Sequence, residues 1–318
     1  MRVLYITNMY PVADYIYFGI HVREQIETIQ DQFDVENEIY FINGRSSKWN
    51  YVKSIAEIKN IIASKQFDVI HVHYGLSALF LLFFKQSVPV VVTLHSGELF
   101  QKKGYINHFF QKNITLSIIK NVKKVIVLND DMIRLLSQHK NKLVKIPCGT
   151  YLGYFKESAA KKEKQKFTIG FPGNKARPEK NFALFQEIVN RLKPYCDIEV
   201  IEFHNLKRDD VVANLNKIDL LLMTSTIEGS PQIVKEALAC NRPIISTAVG
   251  DLNDLLEGVD NSAVIHSFDP EEFILPIKKI IDLPAVERKS NGREHLLKIG
   301  LDAQNVSKSV YALYEQLV

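Results

Sequence analysis

The sequence predicts an α/β chain of two doubly wound, parallel-sheet domains facing each other across a cleft. Three observations carry that expectation. Strand-length runs are apolar on both faces, stretches of helical periodicity separate them, and a charged break falls near the middle of the chain. In the first series VLYIT (3–7) is followed by a loop and a helix from about Gly19 to Ile29, then EIYFI (38–42) and a helix around 52–65. FDVIHVH (67–73), PVVVTLH (89–95), KKVIVL (123–128) and KLVKIP (142–147) continue the rhythm. KESAAKKEKQK (156–166) has no glycine and no core residue, which places a domain boundary after Phe155. The second series runs through FTIGFPG (167–173), IEVIEF (198–203), DLLLMTS (219–225), PIISTA (243–248) and SAVIHS (262–267). The expected division is therefore 1–155 and 156–301, with a last helix over 302–318.

Length and composition agree. At about 100–200 residues per domain, 318 residues make two domains, each large enough for its own core. A chain 46% hydrophobic and 24% charged is not disordered, collagenous or a coiled coil. The net charge of +4 is unevenly spread: residues 1–150 carry 18 Lys/Arg against 12 Asp/Glu, and most of that excess lies in 101–145. Such a stretch suits an anionic partner or is simply a solvated lysine surface. Cys148, Cys196 and Cys240 are too scattered for a metal knuckle or a disulfide framework. The opening MRVLYITNMY lacks a signal peptide's layout, and the longest apolar run, Tyr74 to Phe84, is about half of a membrane span. A reducing, cytoplasmic setting is the expectation.

Open parallel sheets bind ligands beyond the carboxyl ends of their strands, close to helix N-termini. The richest such segment is 224–251, TSTIEGSPQIVKEALACNRPIISTAVGD. A strand ends in Glu228-Gly229-Ser230-Pro231, and a helix runs from about Gln232 to Cys240. Pro231 suits the first turn, where no amide proton is needed. Glu236 lies within the helix, eight residues after Glu228, and Lys235 points to a different face. A carboxylate so placed can accept hydrogen bonds from sugar or ribose hydroxyls. The helix-start amides of Gly229, Ser230 and Gln232 can meet sugar hydroxyls or phosphate oxygens. The spacing of the two glutamates alone is weak; its setting between EGSP, EALAC, a PIIST strand and Gly250-Asp251 makes it specific.

With these landmarks the chain resembles the retaining GT-B glycosyltransferases of glycosyltransferase family 4 (glycosyl transferases group 1), whose two domains are Rossmann-like. ITNMYP with FGIHVREQI (18–26), FDVIHVHYG (67–75), TLHSGELF (93–100), KKVIVLND (123–130), KIPCGTYLGYF (145–155) and FPGNKARPEKNF (171–182) occur in family order. At 148 the family usually has Asn before Gly149; this chain has Cys.

The resemblance implies roles. Lys180 matches the lysine that neutralises the donor diphosphate. The family's arginine five residues earlier is Lys175 here, leaving open whether Lys175 or Arg177 is the second phosphate ligand. Glu236 matches the ribose-binding glutamate, and Glu228 the one beside the transferred sugar. His95 matches the histidine of the reaction centre, and Gly19 a loop glycine near the phosphates. The final helix is implied to return to the first domain. The implied donor is a UDP- or GDP-sugar, the acceptor a glycan or lipid-linked hydroxyl, and the process bacterial cell-surface polysaccharide assembly. No cofactor is implied.

Other chemistry finds no pattern. There is no D-x-D triplet to hold a divalent ion, no G-x-G-x-x-G after the first strand, no P-loop and no G-x-S-x-G. His71 and His73 share one strand face, but the neighbouring strands supply no evident third ligand, so no metal is expected. NHFFQKNITLSIIKNVKK (107–124) interleaves aromatics and lysines; it suits either a peripheral position at the inner face of an anionic membrane or a core helix with a lysine edge. No nucleic acid is implied. A nucleotide-sugar epimerase and a catalytically degenerate binding protein of the same fold remain alternatives to the transferase.

Overall fold

The structure is a computed structural model that describes residues 1–13, 15–100, 105–158 and 166–318, with the backbone alone for 105–108. In chain order the elements are β1 (Arg2–Thr7), α1 (Ile20–Gln32), β2 (Glu36–Phe41), α2 (Asn50–Ser64), β3 (Val69–His73), β4 (Val90–Thr93), α3 (Gly97–Phe100) and α4 (Tyr105–Ile119). They continue with β5 (Lys124–Val127), α5 (Asp130–Leu135), β6 (Leu143–Lys145), β7 (Phe167–Phe171), α6 (Phe182–Leu192), β8 (Ile198–Glu202), α7 (Arg208–Lys217) and β9 (Leu220–Met223). The last are α8 (Gln232–Ala239), β10 (Ile244–Thr247), α9 (Leu252–Leu256), β11 (Ala263–Ile265), α10 (Glu271–Ile281), α11 (Gly292–Lys298) and α12 (Ala303–Glu315).

The chain divides into two units, Met1–Gly149 with Ala303–Val318, and Thr150–Asp302. The first holds a six-stranded sheet in the order β2-β1-β3-β4-β5-β6. The second holds a five-stranded sheet in the order β11-β10-β9-β7-β8. All the strand pairs are parallel. Each order reverses once, between β1 and β3 in the first unit and between β7 and β9 in the second. Those switch points open a crevice at the carboxyl edge, where such sheets take ligands.

Packing explains why these runs are strands. In β9 every residue is buried, and the residues alternate between two cores: Leu221 and Met223 pack with α8 residues, while Leu220 and Leu222 pack with α6 and α10 residues. Period-two alternation between two apolar faces is what a helix-covered parallel sheet demands. The edge strand β8 breaks the rule, with Glu199 and Val200 exposed. It is an edge, so one side needs no cover.

The boundary after Phe155 is corrected by the structure to Gly149/Thr150. Residues 150–155 belong to the second unit because Leu152 and Phe155 insert into its core. The Arg293 guanidinium then donates to the carbonyls of both (2.9 and 2.8 Å). Of the charged stretch 156–166, residues 159–165 lie outside the described residues. The described part is anchored: Glu157 accepts from Arg242 and pairs with Lys289, and the Ser158 amide donates to Asn216. The final helix also lies one residue later than the expected 302–318, since Asp302 stays with the second unit. α12 packs on α1 in the first unit, with Tyr311 stacked on Phe33 at 4.0 Å.

Candidate active site

The carboxyl edge of the second sheet gathers most of the expected donor residues. Beyond β7 the chain turns at Gly173, whose φ of +125° suits glycine and whose Cβ, were there one, would stand 2.8 Å from Lys180 Cε. The missing side chain is the channel through which Lys180 passes. The turn carrying Lys180 (Pro178–Lys180) is stitched to the end of β9. Thr224 Oγ1 donates to the Lys180 and Asn181 carbonyls (3.1 Å each), and the Thr226 amide donates to the Glu179 carbonyl (2.8 Å). Held in this way, Lys180 Nζ lies 2.6 Å from Glu228 Oε1, which also accepts from Ser225 Oγ at 2.8 Å. Both charged side chains are largely shielded, at 12% and 16% exposure.

Glu236 lies one turn into α8 and is buried. Its Oε1 accepts from Arg208 Nη1 at 2.7 Å, and that guanidinium lies over the Phe155 ring at 4.5 Å. Lys235, expected on another face, is fully buried; its Nζ donates to Ser230 Oγ at 2.8 Å, and Ser230 donates in turn to Asp251 at 2.5 Å. The Ser230 hydroxyl thus ties the helix start to the loop after β10. The Gln232 side chain reaches Thr150 Oγ1 at 3.1 Å. Lys175 and Arg177 lie apart from this cluster, with side chains 62% and 57% exposed, beside Glu202 (4.0 Å) and Glu179 (2.5 Å) respectively. The sequence places three cations on one loop; the fold takes Lys180 inward and leaves the other two in solvent.

The first unit presents a column of imidazoles. His71 and His73 stack at 4.3 Å along β3, as their alternation requires. His71 Nε2 bonds Thr93 Oγ1 (2.7 Å) and its Nδ1 bonds Tyr314 Oη of α12 (2.5 Å), while Tyr314 donates to Tyr5 (3.3 Å). His73 Nδ1 meets His95 Nε2 at 3.3 Å, which supplies the third ring that was not evident from the sequence. His21, at the start of α1, meets His95 edge-on at 5.1 Å. One ligand-capable atom each from His21, His95 and Cys148 lies within 4.8 Å of the others.

His95 is positioned by strain and by a buried carboxylate. Tyr74 (φ 76°) and Ser96 (φ 68°) occupy the left-handed region just beyond β3 and β4. Glu98 is fully buried, and its Oε1 accepts from the His95 amide (3.1 Å) and the Gly75 amide (3.3 Å). Burial pushes the Glu98 carboxyl up to about 7, opposed by those amide hydrogen bonds. Burial also pushes His71 down to about 3, and drives His73 and His95 well below the usual imidazole range. All three rings are therefore neutral at pH 7. Gly19 caps α1 with φ +72° and would drive a Cβ to 2.2 Å from the Met9 backbone carbon. A close backbone approach within the loop accounts for this glycine without a ligand.

These shifts fix how stability responds to acid. The three histidines have native pKa values below their unfolded value, so their stabilisation is complete above about pH 6.5 and is lost as pH falls below it. Glu98 acts oppositely, losing stabilisation as pH rises from about 4.5 through 7. With three groups against one, the melting temperature is expected to fall between pH 7.5 and pH 5. His71 alone contributes about 2 kcal/mol to that loss, at about 1.4 kcal/mol per pH unit below its unfolded pKa. A thermal melt series in one buffer system reads it; a flat or rising curve would mean that the buried rings are protonated in the native state.

Two parallel α/β units, each with a carboxyl-edge cluster of charged or titratable side chains, define a two-domain Rossmann-like fold of the GT-B class. Family models match both halves: "Glycosyltransferase Family 4" over residues 23–153 and "Glycosyl transferases group 1" over 154–282. The chain belongs to this glycosyltransferase family, and its activity is glycosyl transfer. It is 26% identical to an uncharacterized glycosyltransferase of Methanocaldococcus jannaschii over 286 residues, 81% of this chain and 78% of that protein. Its structure resembles sucrose-phosphate synthase from Thermosynechococcus elongatus, with a TM-score of 0.76 at 16% identity, covering 99% and 98% of the two chains. It also resembles Anabaena HepE solved with UDP, with a TM-score of 0.71 at 13% identity and full coverage of both chains.

Arg208, Ser225, Glu98, His21 and Cys148 join these clusters without having been singled out as site residues from the sequence. Cys148 carried a signal as the departure from the family's asparagine, and His21, Glu98 and Ser225 stood in motifs or strand-end segments without a role of their own. Arg208 sits 28 residues before Glu236, in a charged helix start that resembles any other.

Proposed function

We propose that the protein is a retaining, hexosyl-type glycosyltransferase that draws on a UDP- or GDP-sugar and delivers the sugar to a hydroxyl of a glycan or lipid-linked acceptor. The observation that carries this reading is the pair of shielded ion pairs, Lys180–Glu228 and Arg208–Glu236, on the two glutamates of one eight-residue spacing. Glu236 accepts hydrogen bonds from the ribose hydroxyls, with Arg208 orienting its carboxylate. Lys180 leaves Glu228 to meet the donor diphosphate, and its charge stabilises the phosphate that departs. Glu228, released, faces the sugar with the amides of Gly229, Ser230 and Gln232. Either Lys175 or Arg177, both exposed, swings onto the diphosphate as its second cation. In this scheme lysine and arginine do the work that a divalent ion does elsewhere, and no cofactor is needed.

The acceptor belongs to the first unit, with His95 as the candidate reaction-centre histidine and Gly19 as the candidate phosphate-loop glycine. The acceptor hydroxyl attacks from the face that the leaving group vacates, and its proton passes to the departing phosphate. HepE, solved with UDP, favours the uridine donor. The test is a thermal-shift panel of UDP, GDP and ADP and their sugar conjugates, run with and without a chelator. A rise with one nucleotide class that the chelator leaves unchanged is the expected result. No rise with any nucleotide sinks the donor assignment.

The setting we propose is bacterial cell-surface polysaccharide assembly, with the protein cytoplasmic and peripheral at the inner face of the membrane. Among the described residues no helix is long and apolar enough to cross a membrane. In α4, Phe109 and Phe110 are 64% and 59% exposed, and α4 packs on the turn preceding Phe83, itself 65% exposed. Residues 101–104 of the basic segment lie outside the described residues, but Lys112, Lys120, Lys123 and Lys124 remain to attract anionic headgroups. Vesicle flotation is expected to recover the protein with phosphatidylglycerol vesicles and not with phosphatidylcholine alone. Phe109→Ser with Phe110→Ser should abolish it, and equal recovery by the double variant would refute membrane contact.

A further inference from the structure

At the carboxyl edge of the first sheet three side chains converge that the donor chemistry leaves partly unused. His21 comes from the first turn of α1, His95 from the loop after β4, and Cys148 from the segment after β6. Each offers one atom to a group that spans no more than 4.8 Å, and all three residues are intermediate in burial. A tetrahedral cation binds thiolate and imidazole at about 2.0–2.3 Å, which sets its ligand atoms about 3.3–3.8 Å apart. A side-chain movement of about 1 Å closes the present spacing to that value.

The donor set selects the ion. One thiolate and two imidazoles suit zinc-class metals and disfavour magnesium and calcium, which take oxygen. Three protein ligands leave a fourth position for water, the arrangement of an open site rather than of a closed structural one. An outer partner is also in place: His73 Nδ1 stands 3.3 Å from His95 Nε2, as a group that orients a metal-bound imidazole must.

We propose that His21, His95 and Cys148 form a binding site for a zinc-class divalent cation with one position open to solvent. The cation and the sugar would then compete for His95, a consequence that rests on the transferase reading while the binding itself does not.

Cobalt(II) replaces zinc in such sites and reports a thiolate ligand by its sulfur-to-metal charge-transfer absorption. Titrating the full chain with cobalt(II) should give a one-to-one complex with that band, displaced by zinc. Cys148→Ser should remove the band and weaken zinc binding by at least about tenfold, the lower end for disturbing even an outer partner. His21→Ala should weaken binding similarly and keep the band. The other thiols are poor substitutes: Cys240 is buried with its pKa pushed up to about 12, and burial raises Cys196 as well. Absence of the band in the unaltered protein, or unchanged zinc affinity in both variants, would overturn the site. Neither readout depends on glycosyl transfer, so failure of the metal site and failure of the donor assignment are separately visible.

Discussion

Replacing Arg208 with alanine is expected to destabilise the second unit by about 3 kcal/mol, because it strands a buried carboxylate without its partner. Glu236 has only 4% of its side chain exposed and its ion pair is 2.7 Å long. For a unit of this size the loss corresponds to a melting-temperature drop of roughly 6–12 °C. A second substitution separates folding from function. In the double variant Arg208→Ala, Glu236→Gln the buried group is neutral, so most of the stability should return. Stabilisation by nucleotide should not return, since the ribose-binding carboxylate is gone. A double variant that recovers both would remove Glu236 from the donor site, and an unchanged melting temperature in the single variant would mean that the pair is not formed.

Lys180→Ala should lower turnover by about 10²–10³-fold, the usual consequence of deleting one preorganised group that meets developing charge. The loss should fall on kcat more than on KM if the lysine meets charge chiefly in the transition state. Lys180→Arg should recover little, because the ammonium reaches Glu228 through the space left by the glycine at 173, and a planar guanidinium is a poor fit to that passage. Fold stability is a weak readout here, since the Lys180–Glu228 pair retains some solvent on both sides. Turnover within a few-fold of the unaltered protein would transfer the phosphate role to Lys175 or Arg177.

The fold was legible because a parallel sheet leaves a strong mark. DLLLMTS is apolar at consecutive positions, which neither an edge strand nor an amphipathic helix produces, and it became the fully buried β9. What the sequence hid was contact between distant segments. TYLGYF (150–155) precedes the charged stretch and so read as the tail of the first domain, yet Leu152 and Phe155 serve the second core. Glu228 and Glu236 were legible since one loop and one helix carry both. Arg208 was not, because nothing local distinguishes an arginine that opens a charged helix from one that crosses to a buried glutamate. The imidazole column was half legible. The alternation of His71 and His73 follows from β geometry, whereas their meeting with His95 depends on β3 lying beside β4, and strand order is not written in composition.

The return of residues 303–318 to the first unit bears on the order in which the molecule is made. Synthesis delivers β1 to β6, then every residue of the second unit, and only then Tyr314, the hydroxyl partner of His71. The nascent amino-terminal half therefore leaves the ribosome with a gap where α12 belongs, and α1 bare along the side that Tyr311 will cover. The second unit has no such debt and can mature first, even though it is synthesised later. The amino-terminal half is the one that waits, and a chaperone surveying half-made chains would find its exposed surface there.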